Sequence, residues 1–320
     1  MALKKLFIAL TCMLCLCCGA SSASAAGKLV AAVLTSDMER YRDAYRSFLK
    51  ALAAKGYEEG AVEVVTQTPN PDPISWANSV RKFDAIKPDL LVTFGAPVTL
   101  AAKQETSGIP IVFVDVYGPV ETGISRSMSQ TGGSLCGVSS KVPVATLIKA
   151  MGDIRPIRTL GVLYNTREAG SILQLKEVKR VAAQQGFAVV EANVPSAAGL
   201  DTALTYLLGR ADCLFVSESS VIGRGFDRIV RKATDARVAV ISLTPGSSER
   251  GALVSLEISP TEQGQLAADY ASKILSGRRP GEFPVYTPRK VDLVLNMGVA
   301  RTLDLHVPFK ALSAATRVIK

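Results

Sequence analysis

Apolar and polar positions in this chain switch repeatedly between a run that suits a buried strand and a spacing that suits a helix. Residues 88–105 show the unit most plainly: Leu90 to Phe94 is almost wholly apolar, with too few polar residues for a strand that has one wet face. Such runs suit parallel strands covered by helices on both sides. Gly95 and Pro97 bracket a tight turn, and Leu100, Ala101 and Ala102 follow as a short helix from Val98. Proline suits the first turn of a helix, where its missing N–H costs nothing. A strand that ends in a turn opening a helix leaves free N–H groups at the sheet edge where ligands bind in open α/β folds.

The same unit recurs along the chain. Strands are predicted over 28–35, 62–66, 90–94, 109–116 and 135–139, with helices over 38–55 and 74–86 between them. The first helix places Tyr41, Ala44, Tyr45, Phe48, Leu49 and Leu52 at helical spacing and ends at Gly56. Residues 117–133, rich in Gly, Ser and Thr, read as a loop over the sheet edge. A second series starts at Ser139-Ser140: helices over 144–151, 171–185, 199–208 and 221–236 alternate with strands over 159–165, 187–192, 212–219 and 238–243. Alternation this regular predicts parallel sheets with right-handed crossovers.

The tail, with a strand over 252–258, a helix over 261–275, a strand over 291–296 and a short helix to Leu303, is too small for a third core. Its first unit is expected to return to the first lobe and its last to the second. The fold class is therefore α/β, with two doubly wound parallel-sheet lobes joined by several crossovers around a cleft. Lobe one would take 26–139 plus 251–278, and lobe two 140–250 plus 279–320.

Composition sharpens this picture at a few points. Of 320 residues, 48% are hydrophobic and 20% charged, which excludes a disordered chain and allows two domains. Lys4 and Lys5, the apolar stretch 6–16 and Ala23-Ser24-Ala25 form a secretory signal peptide over 1–25, with cleavage leaving Ala26 first. The apolar stretch is too short for a permanent membrane anchor. Four of the six cysteines, Cys12, Cys15, Cys17 and Cys18, fall inside that signal. Cys18-Gly19 leaves a lipid-anchored form open, although Cys15, Leu16 and Cys17 before it lack the expected small residue. Cys136 and Cys213 sit in apolar runs and read as buried free thiols, and an oxidising compartment would also allow a disulfide between them. Loss of Lys4 and Lys5 lowers the net charge from +9 to +7, without a basic block, and aromatics are only 6%. Neither feature suits nucleic-acid binding.

His306 is the only histidine and stands in a polar segment without ligand partners at metal spacing, so it reads as a surface residue. No nucleophile elbow, phosphate-binding loop or zinc-protease helix occurs. Glu218 has neighbouring serines but no second carboxylate or base to make it a general acid. No catalytic residue, cofactor or metal is expected. The strand ends instead carry small polar groups: Ser36 and Asp37, Gly95 and Ala96, Asp115 and Tyr117, Ser139, Tyr164 and Asn165, Ser171, Glu218 and Ser219, and Thr244. These are the candidate contacts for a small polar ligand. Ser, Thr and Asp also favour caps and turns, so the pattern identifies a face and not its contacts.

Four blocks, over 87–97, 107–113, 161–165 and 249–256, resemble in sequence and spacing the periplasmic substrate-binding proteins of ABC transporters related to the tryptophan- and phenylalanine-binding members. The resemblance runs from about Leu29 to Leu305. It implies a type I periplasmic-binding fold, closing on an amino-acid-like ligand and presenting the closed form to a membrane permease. The protein would be a periplasmic or secreted monomer; a ligand-sensing subunit that contacts a receptor kinase is the alternative. The site departs from the family pattern more than the scaffold does. Ala96 stands for a threonine, Tyr117-Gly118 for Thr-Asp, Ser140 for an aspartate, Gly170-Ser171 for Asn-Ser, Ser217-Glu218-Ser219 for Thr-Asp-Asn, and Leu243-Thr244-Pro245 for Asp-Thr-Asp. By this resemblance Glu218 would meet a ligand ammonium, and Tyr117 would fill part of the usual ligand space.

Overall fold

The computed structural model describes residues 27–129, 131 and 133–320, so the expected signal peptide and its cysteines lie outside the described residues. The first sheet contains β1 (Lys28–Leu34), β2 (Val62–Gln67), β3 (Leu90–Phe94), β4 (Ile111–Val116) and β5 (Leu135–Ser139), in the order β2-β1-β3-β4-β5 and parallel throughout. Each residue of β3, β4 and β5 is buried, as expected for strands covered on both faces. The covering helices are α1 (Glu39–Ala53), α2 (Pro73–Ile86) and α3 (Ala96–Glu105). Asp72 caps α2 by accepting from Ser75 N at 2.9 Å, and Pro73 takes its first position. Helix α3 starts two residues before Val98, because Pro97 fits its first turn.

The second lobe repeats the plan. After α4 (Val144–Ile154) come β6 (Thr159–Tyr164), α5 (Ala169–Gln185), β7 (Ala188–Asn193), α6 (Leu200–Leu208), β8 (Cys213–Val216), α7 (Ser220–Arg224), α8 (Phe226–Asp235), β9 (Ala239–Ser242) and β10 (Val254–Glu257). The helix expected over 221–236 is two helices, since Gly225 separates α7 from α8. The strands run β7-β6-β8-β9-β10, matching the order of the first sheet, and β11 (Asp292–Asn296) and β12 (Arg317–Ile319) extend the edge.

This repeat corrects the expected assignment of 251–278 to lobe one. Strand β10 pairs in parallel with β9 and antiparallel with β11, so it belongs to lobe two. The reason lies in the half-repeat: lobe one obtains its fifth strand from β5, directly after the loop that follows β4, and lobe two obtains the equivalent strand from β10. Helix α9 (Pro260–Leu275) does return to lobe one, where Ala267, Ala268 and Ala271 pack with Ala44 and Phe48 of α1. At Gly264 a Cβ would lie 2.1 Å from Ala44 O, so glycine lets these two helices touch. Residues 279–320 are also divided. Tyr286 bridges to Val138 of β5 in lobe one, whereas β11, α10 (Met297–Thr302), α11 (Phe309–Ala314) and β12 complete lobe two. The chain therefore crosses between lobes after β5, after β10 and before β11.

Cys136 and Cys213 are buried free thiols in the two different sheets. Burial pushes the Cys136 thiol up to about 12 and raises that of Cys213 as well. His306 is exposed. Among the described residues no helix is long and apolar enough to cross a membrane.

Candidate ligand site between the lobes

The strand ends of both lobes face one another, and a buried arginine stands between them. Arg40 lies in the first turn of α1, on the same helical row as Ala44, Phe48 and Leu52, all of them buried. That row carries Arg40 inward, and its place at the helix start sets it over the strand ends. Its Nη2 donates to Tyr41 Oη at 2.5 Å and to Glu218 Oε1 at 2.8 Å, and Nη1 lies 3.4 Å from Asp115 Oδ2. Burial works to lower its pKa, but Asp115 and Glu218 outweigh that and hold the guanidinium charged.

The two carboxylates come from different lobes. Asp115 sits where the pairing of β4 with β5 shifts register, in the left-handed region at φ 56°, which aspartate tolerates better than most residues. Glu218 lies between β8 and α7; its N–H donates to Gln174 Oε1 at 2.8 Å, and its Oε2 accepts from Gln174 Nε2 at 3.5 Å. Burial raises the Glu218 pKa to about 7, against the pull of Arg40 and with Asp115 and Glu168 reinforcing the rise. Two carboxylates on one guanidinium, with Glu168 close behind Glu218, leave Glu218 reluctant to ionise.

A second network fixes the floor of lobe two. Glu168 accepts from Asn165 Nδ2 at 2.9 Å, from the Ser220 N–H at 3.0 Å and from the Ser219 hydroxyl, and so pins the start of α7. Ser171 Oγ accepts from the Asn165 N–H at 2.9 Å and shares a 2.6 Å bond with Ser217 Oγ, which in turn donates to Leu163 O. These groups are satisfied among themselves and position the loop that holds Glu218.

The structure brings together Ser36, Asp115 and Glu218 as buried residues at the strand ends, alongside Arg40. Asn165, Ser171 and Ser219 are buried in the supporting network. Ser139 is buried beside the crossover, where its N–H donates to Tyr286 O. Gly95 is engaged elsewhere than expected: its N–H donates to Val114 O at 2.8 Å, and a Cβ on it would lie 2.5 Å from Thr35 Oγ1 and 2.6 Å from Tyr41 Oη. Ala96 is packed in the core of lobe one with Val98 and Ala102. Tyr117 packs in the core of lobe two, donating to Glu177 and to Val142 O, so it ties the lobes together from β4. Tyr164 is half-buried against the same core. Asp37 is exposed and accepts two bonds, of 3.0 and 2.9 Å, from Arg224 across the cleft.

Arg40, Tyr41, Glu168, Gln174 and Ser220 are site residues that the sequence reading missed. A charged residue on the row of Ala44 and Phe48 was the available signal for Arg40. Glu168 and Gln174 gave none, because the partners that bring them to the site, Ser219 and Ser220 for Glu168 and Glu218 for Gln174, lie 44 to 52 positions away in the chain.

Among the described residues, buried side-chain atoms without a hydrogen-bond partner include Ser36 Oγ just after β1, Arg40 Nε in the first turn of α1, Ser140 Oγ just after β5 and Ser220 Oγ at the start of α7. Thr131 Oγ1 and Gln263 Oε1 belong instead to the loop before β5 and the first turn of α9. A cavity of about 300 Å³ opens beside Arg40, walled by Asp37, Met38 and Arg42 of lobe one and by Gly223, Arg224 and Thr244 of lobe two. A larger one, about 650 Å³, lies between α1 and α9 against Asp43, Lys50 and Asp269. It meets none of the strand ends, so the smaller cavity is the better placed for a ligand.

Two α/β lobes with paired strand ends and a polar cleft define a solute-binding architecture. Residues 30–319 match the family model described as ABC transporter substrate binding protein, and the chain belongs to that family. It is 28% identical over 264 residues to a tyrosine-binding protein of Clostridioides difficile (strain R20291), covering 82% of this chain and 76% of that protein. A ligand-free, open substrate-binding protein with adhesive properties from Clostridium difficile superposes with a TM-score of 0.68 at 26% identity, covering 92% of this chain and 99% of that one. The ABC domain in complex with L-Trp from Streptococcus pneumonia superposes with a TM-score of 0.87 at 22% identity, covering 92% of this chain and all (100%) of its own. The type I periplasmic-binding fold expected from the sequence is thereby established.

Proposed function

We propose that the protein is the solute-receiving component of an ABC importer, which captures a small amino-acid-like ligand between its lobes by hinge closure and carries out no chemistry on it. It would act in the periplasm or outside the cell as a monomer and hand its ligand to a membrane permease. The observation that carries this reading is the set of buried polar atoms without partners: Ser36 Oγ and Arg40 Nε from lobe one, Ser140 Oγ at the crossover and Ser220 Oγ from lobe two. Leaving each unpaired costs about 1–3 kcal/mol, which a ligand bound to both lobes would offset. Such a ligand gains its full set of contacts only when the lobes meet, so binding shifts an open–closed equilibrium. The tyrosine-binding relative supports an aromatic amino acid as the first ligand to try.

The test is thermal unfolding of the chain from Ala26 with L-tyrosine, L-tryptophan and L-phenylalanine, and with nucleosides and organic acids. A ligand at about a hundred times its Kd adds roughly 2.7 kcal/mol of stability. A shift with an amino acid supports the reading; a folded chain that shifts with none of them overturns it.

A further inference from the structure

The contacts that join the lobes across the cleft are supplied by the chain itself. Asp115 of lobe one and Glu218 of lobe two are both buried, and both reach the same guanidinium. Two carboxylates brought together out of water repel one another and lose their hydration, so without a cation between them an empty cleft would be held open. Arg40 is that cation. Its Nη2 is bonded to Tyr41 Oη at 2.5 Å and its Nη1 lies 3.4 Å from Asp115, so it belongs to lobe one. It can reach Glu218 Oε1, at 2.8 Å, only with the lobes together.

The packing around this pair needs no solute either. Met38, which precedes α1, lies against Gly223 of α7, where a Cβ would fall 2.5 Å from Met38 Cε. Near the crossover, the missing side chain of Gly118 leaves room for Leu173 of α5, and Tyr117 is buried in the core of lobe two. Asp37 and Arg224 pair at the rim. We infer that the chain closes on itself: with no solute bound its lobes rest together, and Arg40 is the built-in counterion that allows Asp115 and Glu218 to be buried face to face. A solute then enters through a minor, open population, which slows its association. This holds whichever solute the cleft takes.

Small-angle X-ray scattering of the chain from Ala26 tests this, after unfolding in urea, dialysis to strip any carried solute, and refolding at pH 8. The stripped wild type should scatter as the structure does with its lobes in contact. Gly223→Phe, a rim substitution outside the buried cluster, should wedge Met38 away and give a larger radius of gyration, which marks the open form. Arg40→Met, checked for folding by circular dichroism, should be expanded as well. Adding Glu218→Gln to it should contract the chain again, because one of the two facing carboxylates is then gone. A stripped wild type whose radius of gyration exceeds that of the structure and equals that of Gly223→Phe overturns the inference. A compact wild type with an equally compact Arg40→Met also overturns it, since closure would then not depend on the counterion.

Discussion

Arg40 Nη2 lies 2.8 Å from Glu218 Oε1, and this contact joins the first helix of one lobe to a strand end of the other. Both side chains are almost fully withdrawn from water, with 3% and 9% of their surface exposed. The contrast is Arg224 with Asp37, which also spans the lobes but is 44% and 60% exposed and contributes at most about 1 kcal/mol. A buried pair does not by itself stabilise a fold, because desolvation offsets the attraction. Its consequence is dependence: once one partner is removed, the other is stranded.

Arg40→Met strands two carboxylates at once. At pH 8 the variant is expected to lose about 3–5 kcal/mol of unfolding free energy, read from urea denaturation. At pH 5 the loss should shrink, because Glu218, whose pKa burial raises to about 7, is then protonated. An equal loss at both pH values would show that lost packing, and not stranded charge, is responsible.

Glu218→Gln tests the same group from the other side. Because its pKa is raised from 4.5 to about 7 in the folded chain, the native state holds the proton where the unfolded state has released it. Stability from this group is therefore fully present below about pH 4.5 and is lost as pH rises through about 7. Glutamine, which mimics the protonated acid, does not titrate. The variant should match the wild type near pH 4.5 and become the more stable of the two above pH 7, by a few kcal/mol at most. A wild type that gains on the variant as pH rises would mean that Arg40 depresses the Glu218 pKa.

The fold was legible in the sequence because each strand is a short apolar run and each helix carries its own spacing, both local features. Strand β10 was misplaced for a non-local reason: its apolar run is compatible with either sheet, and only pairing with β9 and β11 decides. The site was legible as an edge and not as a set of contacts. Ser36, Asp115 and Glu218 do stand at that edge, and the resemblance offered Glu218 a ligand ammonium; it gave no sign that Arg40, 178 positions away in the chain, also pairs with it. Gly95 reads as a turn residue and candidate ligand contact, but its N–H is consumed by Val114, a β4 residue that the strand pattern alone does not place beside it.

Gly95 has a different use, which yields a further prediction. At φ 102° it adopts a conformation that residues with a Cβ rarely take, and the Cβ would meet Thr35 Oγ1 and Tyr41 Oη within 2.6 Å. Gly95→Ala should cost about 2–4 kcal/mol, the sum of backbone strain and overpacking, and should displace Tyr41 from Arg40. Urea denaturation reads the stability. Tyr41→Phe in the Gly95→Ala background should recover part of the loss; no recovery would place the strain at Thr35.

The two thiols report whether the lobes unfold together. Cys136 lies in β5 and Cys213 in β8, and burial raises both thiol pKa values, that of Cys136 to about 12. Native chain from Ala26 should therefore react with neither thiol when offered a disulfide reagent at pH 8, since the thiolate is the nucleophile. On titration with urea, both should become reactive in one transition. The lobes exchange helices, α4 leaving β5 to pack in lobe two and α9 leaving β10 to pack in lobe one, and Tyr117 runs from β4 into the core of lobe two. Loss of lobe one therefore withdraws Tyr117 from the core of lobe two, and loss of either lobe strands one partner of the buried Arg40–Glu218 pair. Two separate transitions, with Cys136 and Cys213 exposed at different urea concentrations, would show that Tyr117 and the Arg40–Glu218 pair do not couple the lobes.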